Sequence, residues 1–249
     1  MTSPRHAKLL ADLTELKLYR IAEVYQEVLD EAARKQSSML DVLVTLVGEE
    51  LAARRQGALQ RRILRARLPP RKTLQEYKFD FPKRIPKQAI LRLFDCDFVA
   101  LHGCAVFIGA TGMGKTHLVT ALGYTACEKA ISVRFVRVVD MINTLTTAQI
   151  RGTLEKSLRD FTNPQLLLLD ELGYLPIDKR GADLLFQVVA ARYESGSVVV
   201  STNRAFREWG TMFDGDNTLA TAMIDRLMHH GEPIVIRGES YRMKDKKLD

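Results

Sequence analysis

The sequence predicts an open parallel α/β sheet built around a phosphate-binding loop and preceded by a small all-helical domain. Residues 109–116, GATGMGKT, fit the pattern G-x-x-x-x-G-K-[ST]. From residue 104 onward, short apolar runs alternate with helical patterns, as in a parallel sheet whose strands are joined by helices. Residues 8 to about 68 show helical periodicity instead, so we expect a separate helical domain over residues 1–68.

Two apolar stripes define the helices of this first domain. One runs through Leu9, Leu13 and Leu16 and continues along a second helical segment. The other comprises Met39, Leu40, Leu43, Leu46 and Val47. Residues 36–38 are typical of a turn, with Ser38 as N-cap. We therefore expect about three helices that pack on one another through these stripes.

The positive charge of the chain is concentrated near its start. Residues 1–90 contain 18 Lys/Arg against 11 Asp/Glu, whereas residues 91–249 contain 19 of each. Residues 51–72 have eight basic residues and no acid, and five arginines fall within an arc of roughly 120° on one helix face. These candidate DNA contacts are Arg54, Arg55, Arg61, Arg62 and Arg65. The stripe favours nucleic-acid phosphates, while a solvated face or an acidic protein partner are the alternatives.

A linker arm is expected over residues 69–86. Pro69 and Pro70 end the helix, because proline cannot continue its hydrogen-bond ladder. The arm carries Tyr77, Phe79 and Phe81. These aromatic rings either dock on the neighbouring domain or line the pocket for a nucleotide base, and the sequence leaves both open.

Residues 87–249 are expected to form the α/β domain. A helix from residue 87 to about 100 leads to the strand at residues 104–108, the loop and a helix. Further strands are predicted at 133–139, 165–171, 197–203 and 234–236, with helices at 180–194, 206–213 and 219–229. Residues 140–162 have room for two short helices.

The phosphate loop predicts a nucleotide site. Its glycines let the backbone N–H groups approach the phosphates, and the helix that follows favours negative charge at its N-terminus. Lys115 would reach the β- and γ-phosphates, and the hydroxyl of Thr116 would bind magnesium. The expected cofactor-binding residues are Gly109, Ala110, Thr111, Gly112, Met113, Gly114, Lys115 and Thr116.

Two acids complete the predicted reaction centre. Asp170 ends an apolar strand, where ligands bind in open parallel sheets, and would hold the Mg²⁺ of ATP. Glu171 follows directly and can polarise a water for attack on the γ-phosphate. This favours an ATPase over a small-molecule kinase, which would instead need an acceptor as its nucleophile.

Three further polar residues are weaker candidates by position alone. Asn203 ends the next strand and could reach the γ-phosphate or the attacking water, although asparagine is also common in turns. Arg226 and Arg242 could stabilise charge on the transferred phosphoryl group, but a surface arginine is the usual alternative.

Composition excludes several other classes of protein. No apolar run approaches a membrane span, and the charged N-terminus lacks the apolar core of a signal peptide, so we expect a cytoplasmic protein without membrane contact. The three cysteines form no C-x-x-C pair and the histidines show no ligand spacing, so neither a disulfide framework nor a zinc site is indicated.

Several blocks of the sequence resemble the IstB-like ATPases, helper proteins of bacterial insertion sequences that are related to the helicase loader DnaC. The blocks are GATGMGKTHL, LLLLDELGYLP, STNRAFREW and AMIDRLMHHGEPIVIRGESYRMK. Weaker likeness extends to residues 16–18, 49–54, 63–69 and 72–80, so the resemblance covers nearly the whole chain. The phosphate loop alone would not separate this family from other P-loop proteins.

The resemblance implies a P-loop AAA+ fold that assembles into a ring or helical filament, with ATP between subunits. It assigns Asn203 to the sensor-1 position, Arg226 to an arginine finger that acts on a neighbouring subunit, and Arg242 to the sensor-2 arginine. Arg204 departs from the family pattern, in which an apolar residue is expected, so a role for Arg204 beside Arg226 stays open.

The function that follows is an ATP-dependent, DNA-binding ATPase that oligomerises on duplex DNA and assists a transposase in target selection or capture. Its cofactors would be ATP and Mg²⁺. The alternative is a replicative helicase loader, whose N-terminal domain would grip a protein instead of DNA.

Overall fold

A computed structural model describes residues 4–81, 84–238 and 241, and these residues divide into two compact units. The first comprises residues 1–61 and the second residues 62–249. The division lies inside a long helix, upstream of the boundary expected after residue 68. The last turns of that helix belong to the second unit, where Arg62 Nε donates to the carbonyl of Cys127 at 2.9 Å.

The first unit consists of helices α1 (Pro4–Glu15), α2 (Tyr19–Lys35) and the first part of α3 (Met39–Ala66). Its buried apolar side chains are Leu13, Val24 and Tyr25. The turn expected at residues 36–38 joins α2 to α3, and Gln36 ends α2 in the left-handed conformation. Three helices are present over the described residues, as the periodicity predicts.

The second apolar stripe does not pack as predicted. Met39, Leu40, Leu43 and Val47 are exposed, and Leu40 retains 68% of its accessible surface. The first half of α3 is therefore amphipathic, yet its apolar face is left uncovered. The physical reason is that residues 4–61, as the structure describes them, contain no further helix or strand against which this face could pack.

The second unit contains a five-stranded sheet in which every pairing of strands is parallel. Its strands are β1 (Cys104–Ile108), β2 (Val133–Arg137), β3 (Leu166–Leu172), β4 (Ser197–Thr202) and β5 (Gly231–Val235). The strand order is β2-β3-β4-β1-β5. Consecutive leucines in β3 are buried on both faces, as an apolar run in a covered parallel sheet requires. The predicted open parallel α/β sheet is confirmed.

Helices connect and cover these strands. They are α4 (Lys87–Phe94), α5 (Asp97–Ala100), α6 (Lys115–Glu128), α7 (Val138–Ile150), α8 (Leu154–Thr162), α9 (Lys179–Arg192), α10 (Trp209–Met212) and α11 (Asn217–His229). The two short helices expected after β2 are α7 and α8. No helix over the described residues is long and apolar enough to cross a bilayer.

Four predicted boundaries are wrong in detail. The helix expected at 87–100 is split at Cys96, which takes a left-handed φ of 60°. β2 ends at Arg137, since the chain turns there directly into α7. β3 continues to Leu172 through a register shift, and β5 starts at Gly231 and includes Pro233. A proline is tolerated there because β5 lies at the edge of the sheet.

One buried arginine ties the helical layer to the sheet. Arg192, at the end of α9, is 1% exposed. Its guanidinium donates to five backbone carbonyls, those of Phe161, Thr162, Pro164, Gln165 and Ser197. Burial lowers the pKa of Arg192 to about 10, so the group remains charged at neutral pH.

Candidate nucleotide-binding site

The phosphate loop lies where the sequence places it, between the end of β1 and the start of α6. Gly112 and Gly114 have φ of 84° and 80°, a conformation that side chains disfavour. Gly109 is needed for another reason, because a Cβ there would lie 2.6 Å from the carbonyl oxygen of Ile236. The loop is thus packed tightly on its neighbours and already has the backbone shape that exposes N–H groups at a helix start.

Lys115 lies within the curve of this loop. Its Nζ donates to the carbonyls of Gly109 at 2.7 Å and Ala110 at 2.9 Å. The side chain also lines the large cavity described below. From this position the positively charged ammonium can donate hydrogen bonds to phosphate oxygens that enter the loop.

A cluster of oxygen atoms lies beside the loop. The hydroxyl of Thr116 donates to Asp170 Oδ1 at 3.1 Å, and the hydroxyl of Ser201 makes a short hydrogen bond to the same oxygen. Asp170 is buried in β3 and Ser201 in the adjacent β4. A carboxylate and a hydroxyl are hard ligands of the kind that Mg²⁺ prefers, so Thr116 and Asp170 fit the ion.

Glu171 points away from the sheet at a bulge in β3. It is exposed and its φ is 62°, unusual for a residue with a side chain. Its backbone N–H donates to the Ser201 hydroxyl at 3.0 Å, so Ser201 holds both acids. Backbone strain of this kind accumulates at functional sites, and here it turns a carboxylate out beside Asp170.

Asn203 follows β4 and lines the same cavity. Its Oδ1 is buried and has no hydrogen-bond partner among the described residues. A buried polar atom without a partner costs free energy, so such an atom beside a ligand cavity calls for an explanation. A water or phosphate group in the cavity would satisfy the side chain.

The linker arm packs on the loop, as the first alternative predicts, and it lines the cavity; a contact with the nucleotide base stays a prediction. The Tyr77 hydroxyl donates to the carbonyl of Met113 at 3.1 Å, and a Cβ on Gly114 would lie 2.6 Å from its ring. The ring also meets His117 edge to face. Burial raises the pKa of Tyr77 to about 12, so the hydroxyl remains a donor.

The loop, Glu171 and the arm line a cavity of about 550 Å³. That volume lies in the range of small-molecule sites. Besides residues already described, its lining includes Pro69, Pro70, Glu76, Tyr174 and Tyr241. The backbone N–H of Tyr241 donates to the carbonyl of Gly112 at 3.0 Å, so Tyr241 lies against the loop.

The three candidate arginines lie outside this cavity or outside the described residues. Arg226 is half-buried on α11, where its guanidinium lies 4.7 Å from the Phe186 ring centre. Arg204 packs on Gly173, and its Nε donates to the Gly173 carbonyl at 3.4 Å. Arg242 lies beyond the residues that the structure describes. Neither Arg226 nor Arg204 lines the nucleotide cavity of its own chain.

The five arginines of the basic stripe differ in their surroundings. In the first unit, Arg54 pairs with Glu50 at 2.8 Å. In the second, Arg62 bonds the Cys127 carbonyl. Arg55, Arg61 and Arg65 are exposed and make no ion pair or side-chain hydrogen bond with any described residue. These three are the members of the stripe whose guanidinium groups are available.

Ser201 was not predicted as a site residue, and the positions of Tyr77 and Tyr241 at the site do not follow from the sequence. Ser201 lies in an apolar strand, where a small hydroxyl gives no signal of its own. Its role depends on β4 lying beside β3, which only the strand order shows.

Comparison with known proteins identifies the family. The model of the family described as IstB-like ATP binding protein matches residues 11–249. This chain belongs to that family. It is 37% identical over 240 residues to an insertion sequence IS232 putative ATP-binding protein of Bacillus thuringiensis, with 96% of each chain covered. It is 36% identical to the IS21 counterpart of Pseudomonas aeruginosa, over 94% of this chain and 88% of that one.

Solved structures share the fold of this IstB-like chain. A crystal structure of the DnaC helicase loader matches with a TM-score of 0.55 and 24% identity, covering 66% of this chain and 96% of the loader. AMPPCP-bound DnaA from Aquifex aeolicus matches with a TM-score of 0.58 and 19% identity, over 72% of this chain and 54% of DnaA. The AAA+ fold implied by the resemblance is confirmed.

Proposed function

We propose that this IstB-like protein is a Mg²⁺-dependent ATPase that assembles on duplex DNA and assists a transposase. The observation that carries the ATPase part of the proposal is the phosphate loop with three neighbouring groups: the hydroxyl of Thr116 and the carboxylates of Asp170 and Glu171. Thr116 and Asp170 supply ligands for Mg²⁺, Glu171 supplies a carboxylate that can accept a proton, and the loop can bind the phosphates.

The proposed reaction is hydrolysis of ATP to ADP and phosphate. A water positioned by Asn203 attacks the γ-phosphorus, while Glu171 accepts its proton. The bond between the γ-phosphorus and the β,γ-bridging oxygen breaks, and ADP leaves with that oxygen. Lys115 and the loop N–H groups stabilise the charge on the phosphates. Mg²⁺ held by Thr116 and Asp170 would neutralise charge on the β- and γ-phosphates.

Glu171→Gln tests this assignment. We expect hydrolysis to fall about 1,000-fold with ATP binding retained, because general-base catalysis contributes on this scale. Glu194→Gln is a matched control, since Glu194 is also exposed with a left-handed φ of 56° but lines a different cavity. Steady-state phosphate release and fluorescent nucleotide titration give the two readouts. Normal turnover in Glu171→Gln would exclude Glu171 as the base.

DNA binding is supported by the excess of positive charge in residues 1–90 and by the exposed Arg55, Arg61 and Arg65. Replacing these three by alanine is expected to weaken duplex binding about tenfold or more at low salt and to flatten its salt dependence, because each phosphate contact releases counterions. A control variant removes Arg92, Arg180 and Arg207, which keeps the net charge equal. Fluorescence anisotropy between roughly 50 and 200 mM salt measures both. Equal losses in the two variants would contradict the stripe as the DNA contact.

Assembly with ATP between subunits is supported by the position of Arg226. The carbonyl of His230, four residues on, accepts from the N–H of Cys104 at the start of β1, whereas the phosphate loop follows the end of that strand. Arg226 would therefore act on the ATP of a neighbour. Mixing Arg226→Ala with Lys115→Ala subunits should restore some hydrolysis, because one type of interface then has both groups. No rescue in mixed oligomers would contradict this geometry.

Two experiments distinguish a transposase from a replicative helicase as the protein partner. Stimulation of target capture by a transposase would support the helper role. Binding to a replicative helicase, without any effect on transposition, would instead support the loader alternative.

A further inference from the structure

A second cavity lies beside Asp170 and Glu171 and adjoins the nucleotide cavity. Its volume is about 390 Å³. Thr116 and Glu171 line both this cavity and the nucleotide cavity, and Asp170 lines the second one. Its far wall consists of Arg67, just after α3, together with Arg134 and Arg137 of β2 and Phe161 of α8. The two cavities thus share a wall at the place where the γ-phosphate would be cleaved.

Arg134 is an unusual lining residue. It is only 8% exposed, and its buried Nε has no hydrogen-bond partner among the described residues. Its guanidinium lies 5.6 Å from the ring centre of Phe161, which fixes it against the cavity wall. Leaving a buried Nε without a hydrogen-bond partner costs free energy, so a ligand at this position is one explanation.

Arg67 brings a second positive charge to the same wall. It is exposed, with a left-handed φ of 53°, and its guanidinium makes no ion pair within the described parts of the chain. Burial is the largest cause that lowers the pKa of Arg134; the charge of Arg67 lowers it further, and the charge of Asp160 opposes both. Asp160 is a carboxylate near Arg134, but neither guanidinium makes an ion pair with a described residue, and Asp160 does not line the cavity. The two guanidinium groups therefore form a site for an anion there.

Two of the three acids that line the cavity already have hydrogen-bond partners. Asp140 pairs with Arg137 at 2.7 Å, and Asp170 accepts from Thr116 and Ser201. Glu171 is the remaining carboxylate, and it lies on the shared wall. The ligand therefore has to present negative oxygens to Arg67 and Arg134 and can place a hydrogen-bond donor near Glu171.

We propose that this cavity is a second phosphate-binding site, which receives the orthophosphate released from ATP. Arg67 and Arg134 bind two of its oxygens, while a P–OH group donates to Glu171. A phosphodiester lacks that hydroxyl, so the chemistry of the cavity favours orthophosphate over a nucleic-acid backbone. The inference deepens the proposed ATPase function and rests on it for the source of the phosphate.

Direct titration of inorganic phosphate into the full-length protein tests the site. Isothermal calorimetry is performed with and without Mg²⁺-ADP, so that phosphate binding is measured even if the protein does not hydrolyse ATP. We expect binding with ADP present, and a loss of about tenfold in Arg67→Gln, because one charge-assisted hydrogen bond is removed. Arg71→Gln is the control, since Arg71 is exposed on the same segment but pairs with Glu128 and does not line the cavity.

Arg134→Lys serves as a second variant. It keeps a positive charge in the buried position and removes the planar fork, and we expect it to weaken phosphate binding several-fold. Thermal unfolding shows whether each variant is folded. Because Arg67 is exposed, the Arg67→Gln result remains decisive if Arg134→Lys is unstable.

Steady-state kinetics provide an independent readout. Phosphate at a site separate from the nucleotide should inhibit hydrolysis without competing with ATP, and Arg67→Gln should relieve that inhibition. Absence of phosphate binding, or equal binding by the Arg67 and Arg71 variants, would overturn the proposal. So would displacement of phosphate by a short DNA duplex whose own binding depends on Arg67, because the site would then hold a phosphodiester.

Discussion

The two units differ in what they do with their polar residues. In the α/β unit, Asp170, Arg192 and Ser201 are buried and engaged in hydrogen bonds that fix their positions. Within residues 4–61, one acid, Glu50, is buried, while large apolar side chains such as Leu40 and Leu43 are exposed. The α/β unit thus buries polar side chains in its core, whereas the helical unit exposes charged and apolar side chains to solvent.

This contrast indicates which unit can hold a reactive site by itself. A parallel sheet covered on both faces gives Asp170 a low-dielectric, fixed environment, which strengthens its electrostatic interactions. Three helices with a small core offer no comparable position. Their exposed faces suit contacts with other molecules, in agreement with the proposed DNA contact of the basic stripe.

The largest effect is expected from Arg192→Met. The substitution removes a guanidinium that satisfies five carbonyls and leaves them buried, so we expect the free energy of unfolding to fall by about 3 to 5 kcal/mol. The transition of the α/β unit should shift down by roughly 10 °C in calorimetry. Arg180→Ala on the same helix, an exposed residue with one side-chain bond to Gln149, should change little. Similar shifts for both would mean that the carbonyl network is unimportant.

Ser201→Ala sharpens the comparison at the site itself. Ser201 contacts neither phosphate nor water in the proposed reaction, but it holds Asp170 and the backbone of Glu171. We expect about a tenfold loss of hydrolysis and a higher Mg²⁺ requirement, as for other groups that orient metal ligands. Ser197→Ala, at the buried start of the same strand, is the control. An unchanged Mg²⁺ dependence would show that Ser201 does not position Asp170.

The smallest effect is expected in the helical unit, from Glu50→Gln. Glu50 accepts from the N–H groups of Arg20 and Ile21 and pairs with Arg54, so it caps the start of α2. The hydrogen bond from Arg54 is the main cause that lowers the pKa of Glu50. Its stabilisation is therefore complete above the unfolded pKa of about 4.3 and is lost as pH falls through the lower folded value.

Amide hydrogen exchange at residues 20 and 21 measures this effect. Protection in the parent should decrease below pH 4, whereas in Glu50→Gln it should be lower at neutral pH and nearly flat across that window. A parallel pH profile in both proteins would show that Glu50 does not cap α2. The α/β unit should be unaffected in either case.

Local patterns made the phosphate loop, β3 and the fold class predictable. The loop is contiguous in sequence. The leucines of β3 fit either a strand buried on both faces or a short core helix, and the phosphate loop upstream and the acids that follow favour the strand. The register shift that carries β3 past Glu171 depends on the hydrogen bond from Glu171 to Ser201, thirty residues away, and has no local signal.

Long-range packing also explains what the sequence could not decide about the arm and the stripe. The Tyr77 hydroxyl meets Met113 only because the arm folds back over the loop. Arg62 has the same helical spacing as its neighbours, yet it faces the α6 carbonyl of Cys127 instead of solvent. Helical periodicity gives the direction of a side chain around its own helix, but not what lies in that direction.

The proposed action of Arg226 on a neighbour's ATP would make catalysis depend on several chains together. The strand that separates the loop from the end of α11 has five residues, or about 16 Å of extended backbone. If Arg226 completes a neighbour's site, turnover per chain depends on how many chains have met, so its rate rises more than linearly with protein concentration at high dilution. A few copies scattered through a cell would then hold ATP without consuming it, and local crowding on one stretch of DNA would start the reaction.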